Sequence, residues 1–155
     1  MRTIGDFEDL LQLLERHRAR YLIVGGLAFI YHAKPRYTKD MDLWVDPDPR
    51  NIERVNAALC EFPSPQLLSP GRRSEILQIG IEPNRIDVLQ AVGRMRFGTA
   101  WRRRVRDWYG AVRASWIDLD SLLRIKSGID HPRHQEDARV LSEVRRAKRR
   151  GRRRR

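Results

Sequence analysis

The stretch that decides the fold is residues 21–49, YLIVGGLAFIYHAKPRYTKDMDLWVDPDP. Its first four residues, YLIV, form a short apolar run rich in β-forming side chains, and the pair Gly25-Gly26 ends that run. Residues 27–32 then predict a short helix, and the pattern MDLWV at 41–45 predicts a second strand. The order of strand, glycine turn, helix, basic loop and strand predicts an α/β fold.

The glycine pair has two interpretations. Gly25 and Gly26 permit a positive φ and let a ligand approach the backbone closely. The helix predicted after them would present free N–H groups at its first turn, which suits a phosphate. Gly-Gly also occurs in ordinary tight turns that bind nothing, and the pair alone does not decide between the two.

Two carboxylates lie in the second predicted strand. Side chains two residues apart share a face of a strand, so Asp40 and Asp42 point the same way while Met41, Leu43 and Val45 face the core. Neighbouring carboxylates raise each other's pKa unless a cation lies between them. A hard divalent ion such as Mg²⁺ resolves that conflict. The other interpretation is a solvated polar face on an edge strand.

A third carboxylate interrupts an apolar strand further along the chain. Residues 76–89 predict a β-hairpin, and its second strand contains Asp87 within the run IDV. Burial of an unpaired carboxylate costs several kcal/mol, so Asp87 requires a partner. A metal ion shared with Asp40 and Asp42 is the simplest partner, and exposure on an edge strand is the alternative.

A lysine lies on the apolar stripe of a predicted helix at 119–127. Lys126 falls four residues after Leu122 and seven after Leu119, and it must either reach outward or meet an anion. Asp137 leans inward in the next predicted helix. A Lys126–Asp137 pair would satisfy both groups.

These residues carry a resemblance to a known family. The order G-G-x-A…R-x-T-x-D-x-D-L, which includes Arg36 and Thr38, resembles the nucleotidyltransferase superfamily of DNA polymerase β. The resemblance is closest to its small bacterial branch of minimal nucleotidyltransferases and AbiEii-type toxins. It implies a polymerase-β-like nucleotidyltransferase fold, in which a short mixed β-sheet is flanked by helices.

The resemblance also implies an activity and a set of roles. The chain is expected to move a nucleoside monophosphate from a nucleoside triphosphate (NTP) to a hydroxyl on RNA, such as tRNA, or on protein, with two Mg²⁺ ions or Mn²⁺ as cofactor. It implies a toxin whose partner is an antitoxin protein. The implied catalytic residues and metal ligands are Asp40, Asp42 and Asp87. The implied nucleotide-binding residues are Gly25, Gly26, Arg36, Thr38 and Lys126.

One departure from the family pattern keeps a second function open. The family's motif is approximately R-x-K-D-x-x-D, and the matching residues 131–137 here read HPRHQED. Arg133 can replace the lysine and Asp137 stands, but His131 and His134 replace the arginine and the first aspartate. The alternative is therefore a catalytically weak protein of the same fold that binds nucleotide or RNA.

Charge is concentrated at one end of the sequence. The chain has 155 residues and a formal net charge of +12, and residues 145–155, RRAKRRGRRRR, hold nine Lys or Arg and no acid. Residues 1–144 are expected to form one nucleotidyltransferase domain, and residues 145–155 a basic, disordered tail. The tail would bind RNA or another polyanion through phosphates, or serve only for solubility.

Cysteine and apolar content indicate the compartment. Cys60 is the only cysteine, so an internal disulfide is excluded. No apolar run approaches the length that crosses a membrane, and the first residues lack the apolar segment of a signal peptide. We expect a cytoplasmic protein without a membrane partner.

Overall fold

The computed structural model describes residues 4–62 and 64–155; residues 1–3 and 63 of the predicted domain lie outside the described part. In these ranges six helices and six strands follow one another in mixed order, and β3 and β4 form the hairpin that the sequence predicts at 76–89. The elements are α1 (Gly5–Arg16), β1 (Tyr21–Val24), α2 (Gly25–His32), β2 (Asp40–Val45), α3 (Pro49–Glu61), β3 (Ile76–Ile79), β4 (Arg85–Leu89), α4 (Phe97–Arg102), β5 (Val105–Tyr109), β6 (Val112–Trp116), α5 (Leu119–Ser127) and α6 (Pro132–Arg153).

The strands form one mixed sheet in the order β3-β4-β2-β1-β6-β5. The central pairs β2–β4 and β1–β6 are parallel, whereas β1–β2 and the two outer hairpins, β3–β4 and β5–β6, are antiparallel. The short mixed sheet with flanking helices that the sequence predicts is confirmed.

Each face of the sheet has its own apolar core. Helices α1 and α3 cover one face, α4, α5 and α6 cover the other, and α2 contributes side chains to both cores. Alternation along β2 explains the division, because Met41, Leu43 and Val45 enter the first core while Trp44 enters the second. Asp40 and Asp42 have the same parity as Trp44. They therefore lie on the second face, where β2 begins.

Capping side chains fix where two of the helices begin, α5 on this face of the sheet and α3 on the other. Asp118 precedes α5 and its side chain accepts a hydrogen bond from the Ser121 backbone N–H, which satisfies one free donor of the first turn. Asp48 does the same for α3 with the Arg50 N–H, and Pro49 takes the first helical position.

The predicted disorder of residues 145–155 is wrong for most of that segment, because α6 continues to Arg153. Ala138 and Leu141 anchor the first half of the helix in the core, and growth beyond a formed nucleus is far easier than nucleation. Arg, Lys and Ala are strong helix formers. Cations are also favourable at a helix C-terminus, so mutual repulsion does not unwind the segment.

Among the helices of residues 4–62 and 64–155, none combines the length and the apolar character that crossing a bilayer requires.

Candidate active site

Three carboxylates from two neighbouring strands converge on one point. Strands β2 and β4 run parallel with Asp42 opposite Asp87, and Asp40 opposite Arg85. Asp40, Asp42 and Asp87 each offer one oxygen, and these oxygens all lie within 4.8 Å of one another. The pairing register, rather than proximity in sequence, brings Asp87 to the other two.

The glycine turn after β1 makes room for this cluster. Gly25 has a φ of +66°, and a Cβ added to it would lie 2.0 Å from Asp42 Oδ2. At Gly26 a Cβ would lie 2.8 Å from the hydroxyl oxygen of Thr38. That hydroxyl donates to the backbone carbonyl of Asp40 at 3.3 Å. Both glycines are thus required by side chains of the site itself.

The cluster changes the protonation of its members. Burial, followed by the charges of Asp40 and Asp87, raises the pKa of Asp42 from 3.8 to about 7, against the opposing charges of Arg85 and Lys126. Burial also raises the pKa of Asp87, although Arg85 opposes that change. In the absence of another cation, the three carboxylates are therefore not all ionised near neutral pH.

Arg85 is the cation of the site that the sequence analysis missed. Its Nη2 donates to Asp40 Oδ2 at 2.7 Å, and its Nε lies 3.2 Å from Asp87 Oδ1. The spacing Arg85-x-Asp87 on one strand was a signal that both side chains share a face. The contact with Asp40 depends on strand pairing, which the sequence does not show. One guanidinium faces three carboxylates and leaves the site acidic.

The remaining negative charge fits a hard divalent cation. Asp87 Oδ1 is buried and accepts no well-formed hydrogen bond from any residue the structure describes, despite the nearby Arg85 Nε. Carboxylate oxygens are the ligands that Mg²⁺, Ca²⁺ and Mn²⁺ prefer. A cation held by the three aspartates would satisfy this oxygen and relieve the repulsion that raises the pKa of Asp42.

A second charged cluster is organised around Asp137 of α6. Arg36 Nη1 donates to Asp137 Oδ1 at 2.6 Å, and Lys126 Nζ lies 3.0 Å from Asp137 Oδ2. Lys126 Nζ also donates to His134 Nδ1 at 3.1 Å. The Arg36 guanidinium lies 4.1 Å from the ring centroid of Phe29. The Lys126–Asp137 pair expected from sequence is present, and Arg36 joins it from 101 residues away.

The protonation of this second cluster follows from its contacts. Burial pushes the pKa of Asp137 upward, but hydrogen bonds and positive charge from Arg36 and Lys126 outweigh burial and hold it below its usual value. Burial, followed by the charge of Lys126, lowers the pKa of His134. A neutral His134 can then accept the hydrogen bond from the ammonium group.

The predicted site residues therefore fall into two neighbouring groups. Asp40, Asp42, Asp87, Gly25, Gly26 and Thr38 form the acidic centre. Arg36 and Lys126 belong to the cationic cluster on Asp137, and Lys126 is close enough for its charge to act on Asp42. Positive groups beside an acidic, metal-compatible centre suit a polyphosphate substrate. Metal and nucleotide binding by these residues stay predictions.

No protein-family model matches the chain, and no curated protein matches it in sequence. Solved structures match the chain in their three-dimensional fold. The lincosamide antibiotic adenylyltransferase LnuA, lincomycin-bound, superposes with a TM-score of 0.61 at 15% identity, over 92% of this chain and 99% of that one. ANT(2")-Ia in complex with adenylyl-2"-tobramycin gives 0.56 at 14% identity, over 94% and 95%. The toxin branch stays a prediction. With its mixed sheet and flanking helices, the chain has the minimal nucleotidyltransferase fold.

Proposed function

We propose that the protein transfers a nucleoside monophosphate from an NTP to a hydroxyl group and releases pyrophosphate. The observation that carries this proposal is the convergence of Asp40, Asp42 and Asp87 within 4.8 Å beside the glycine turn. Three carboxylates with a single arginine between them suit a metal-assisted reaction at phosphate. The fold shared with two nucleotidyltransferase structures supports the same reaction class.

The residues divide the work of the transfer. The acceptor oxygen forms a bond to the α-phosphorus, the bond from that phosphorus to the bridging oxygen breaks, and Asp87 accepts the hydroxyl proton. Asp40, Asp42 and Asp87 would hold two Mg²⁺ ions, or Mn²⁺, which neutralise phosphate charge and favour ionisation of the hydroxyl. Arg36 and Lys126 hold triphosphate oxygens.

The turn completes the nucleotide site. Helix α2 begins at Gly25, which lies against Asp42, and the free N–H groups of its first turn would donate to a phosphate oxygen. Thr38 is held over Gly26 and fixes the strand start through its contact with the Asp40 carbonyl. The protein's contribution is thus position and charge rather than a covalent intermediate.

For the acceptor we propose a hydroxyl on RNA, tRNA in particular, or on protein. The resemblance of the site motif to AbiEii-type toxins and the strongly basic end of α6 support this choice. The two structural neighbours were solved with lincomycin and with adenylyl-2"-tobramycin, and they cover nearly the whole chain. A hydroxylated antibiotic is therefore the competing acceptor that an experiment must include.

The same resemblance supports a cellular role. We propose that the protein acts in the cytoplasm as the toxin of a toxin–antitoxin pair, with an antitoxin protein as its partner. Induced expression of the wild type should then arrest growth, and expression of Asp42→Ala should not. Equal growth of cells that make similar amounts of either protein would refute the toxin role without touching the chemistry.

The chemistry is tested by label transfer. The protein is incubated with each α-labelled NTP and Mg²⁺, and with total RNA, protein extract, lincomycin or tobramycin in separate reactions. We expect label on RNA or protein, loss of transfer in Asp42→Ala, and full transfer in Asp9→Ala, which removes an exposed carboxylate of α1. Transfer of label to an antibiotic alone would show that the acceptor is an antibiotic rather than RNA or protein. No transfer in any reaction would refute the proposed enzymatic activity.

The alternative is a catalytically weak protein that binds nucleotide or RNA. The observation that favours it is the altered segment 131–137, where Lys126 donates to His134 instead of meeting a second carboxylate there. RNA retention that is unchanged in Asp42→Ala, together with no label transfer by the wild type, would establish the binder in place of the enzyme.

A further inference from the structure

The inner stripe of α6 changes character along the helix. Ala138 and Leu141 are buried on the stripe that packs against the core. One heptad further on, the same stripe holds Arg145 and Lys148, and Arg152 continues it. Lys148 and Arg152 are exposed. The helix therefore leaves the body of the protein with a cationic face where an apolar one would be needed to dock on a membrane or in an apolar groove.

This cationic stripe faces a groove of about 270 Å³ between α6 and the start of α5. Arg103, from the segment after α4, contributes to the groove and is paired with Asp118 at 3.4 Å and Asp120 at 2.7 Å. Arg145 lies 3.9 Å from Asp120. The other cations of the groove form no ion pair with any residue in the described ranges: Lys148, Arg149 and Arg152.

The charge density of this segment matches that of a nucleic acid. Residues 145–155 hold nine cations. Seven of them lie in the helical part, residues 145–153. At about 1.5 Å of rise per residue this part is roughly 14 Å long, so one positive charge occurs about every 1.9 Å. Double-stranded DNA carries one negative charge per about 1.7 Å. A polyanion with closely spaced phosphates would neutralise the segment and release the counterions of both partners.

We propose that the basic end of α6, defined as residues 145–153 with the two arginines that follow them, forms a surface that binds RNA through its phosphates. Arginine suits phosphate because its planar guanidinium donates two parallel hydrogen bonds. Phosphate contacts carry no sequence information, so we expect binding through them to be independent of sequence. RNA is chosen over DNA because it offers a hydroxyl on every nucleotide, and this choice rests on the proposed transfer to a hydroxyl.

The same helix connects the surface to the cationic cluster on Asp137, which lies next to the acidic centre. Asp137, which holds Arg36 and Lys126, lies eight residues before Arg145 on α6, or about 12 Å along the helix axis. RNA bound to the basic end would therefore lie on the face of the sheet that carries Asp40, Asp42 and Asp87, rather than on the opposite face. The surface supplies affinity, and the acidic centre supplies the chemistry.

The test measures RNA affinity against salt. A fluorescent RNA hairpin of mixed sequence is titrated by anisotropy between about 50 and 200 mM KCl, a range over which phosphate contacts dominate the change in affinity. The variant replaces Lys148, Arg149 and Arg152 with Gln, which has nearly the helix propensity of Arg and Lys. A control replaces three exposed arginines of the body, Arg50, Arg72 and Arg73, and removes the same formal charge.

In the α6 variant we expect the slope of log K against log salt concentration to become shallower by about 2 to 3, because each lost phosphate contact removes about 0.7 to 0.9 from the slope. Binding should weaken at least tenfold. The control should keep the wild-type slope. An unchanged slope in the α6 variant, or an equal change of slope in the control, would overturn the proposal that the basic end of α6 binds RNA. Tighter binding of a DNA hairpin of the same sequence would overturn the choice of RNA.

Binding and catalysis are separated by a third variant. Asp42→Asn leaves α6 untouched, so it should bind the hairpin as the wild type does while losing label transfer. If the wild-type protein binds RNA but transfers no label, the proposed RNA-binding surface stands and the proposed enzymatic activity is refuted. If the three α6 substitutions change neither label transfer to RNA nor RNA affinity, the enzymatic activity stands and the RNA-binding surface is refuted.

Discussion

Replacement of Asp42 by asparagine should stabilise the metal-free protein, and more so at high pH. In the folded protein, burial and the charges of Asp40 and Asp87 raise the pKa of Asp42 from 3.8 to about 7. Between these values the folded state binds a proton that the unfolded state has released. The stability contributed by this group therefore falls as pH rises through the window from about 4 to 7.

The magnitude follows from the same two values. Each pH unit of that window costs about 1.4 kcal/mol, so the ionised carboxyl destabilises the fold by roughly 4 kcal/mol at pH 8 and about 2 kcal/mol at pH 5. The asparagine side chain cannot ionise and has nearly the same shape, so the Asp42→Asn variant avoids this cost. We expect the gain in the free energy of unfolding to be about 2 to 3 kcal/mol larger at the higher pH.

The assay is urea unfolding of both proteins in EDTA at the two pH values, with Asp9→Asn as a control for the same chemical change at an exposed site of α1. Added Mg²⁺ should then stabilise the wild type at pH 8 and raise the variant's stability much less, because binding to the folded state shifts the equilibrium. An equal gain at both pH values, or a loss at pH 8, would refute the proposed electrostatic conflict among the three carboxylates.

Three further outcomes follow from the structure. Gly25→Ala places a Cβ 2.0 Å from Asp42 Oδ2 at a φ of +66°, so it should destabilise the fold by about 1 to 3 kcal/mol in thermal unfolding and weaken Mn²⁺ binding in a titration; wild-type behaviour in both would show that the turn has room. Asp137→Asn leaves Lys126 and Arg36 without their carboxylate and should lower the free energy of unfolding by about 3 to 5 kcal/mol. A double-mutant cycle with Lys126→Met that shows no coupling energy would disprove the Lys126–Asp137 pair. EDTA should stop label transfer and Mn²⁺ should restore it; transfer that persists in chelator would remove the metal from the mechanism.

Local patterns in the sequence were sufficient for several of the elements and for part of the site. Alternation places Asp40 and Asp42 on one face of β2 and Met41, Leu43 and Val45 on the other, because side chains alternate strictly along a strand. The capping aspartate before α5 and the hairpin at 76–89 are equally local. Each of these signals depends only on residues within a few positions of one another.

The joining of distant segments was not predictable in the same way. Arg85 meets Asp40 only because β4 pairs with β2 in one register, and a slip by one residue would turn it to the other face. Arg36 meets Asp137 across 101 positions of sequence. The helical state of residues 145–153 likewise depends on the anchoring of α6 by Leu141 in the core. A charge count alone predicts repulsion and disorder for that segment.

By itself, then, the sequence determined several strands and helices and the shared face of two carboxylates, because backbone geometry repeats over short distances. Only the tertiary structure decided which cation faces which carboxylate and where the charged end of α6 lies relative to the acidic centre. Those arrangements depend on contacts between segments far apart in the chain, and folding fixes them by burying the apolar faces that bring the segments together.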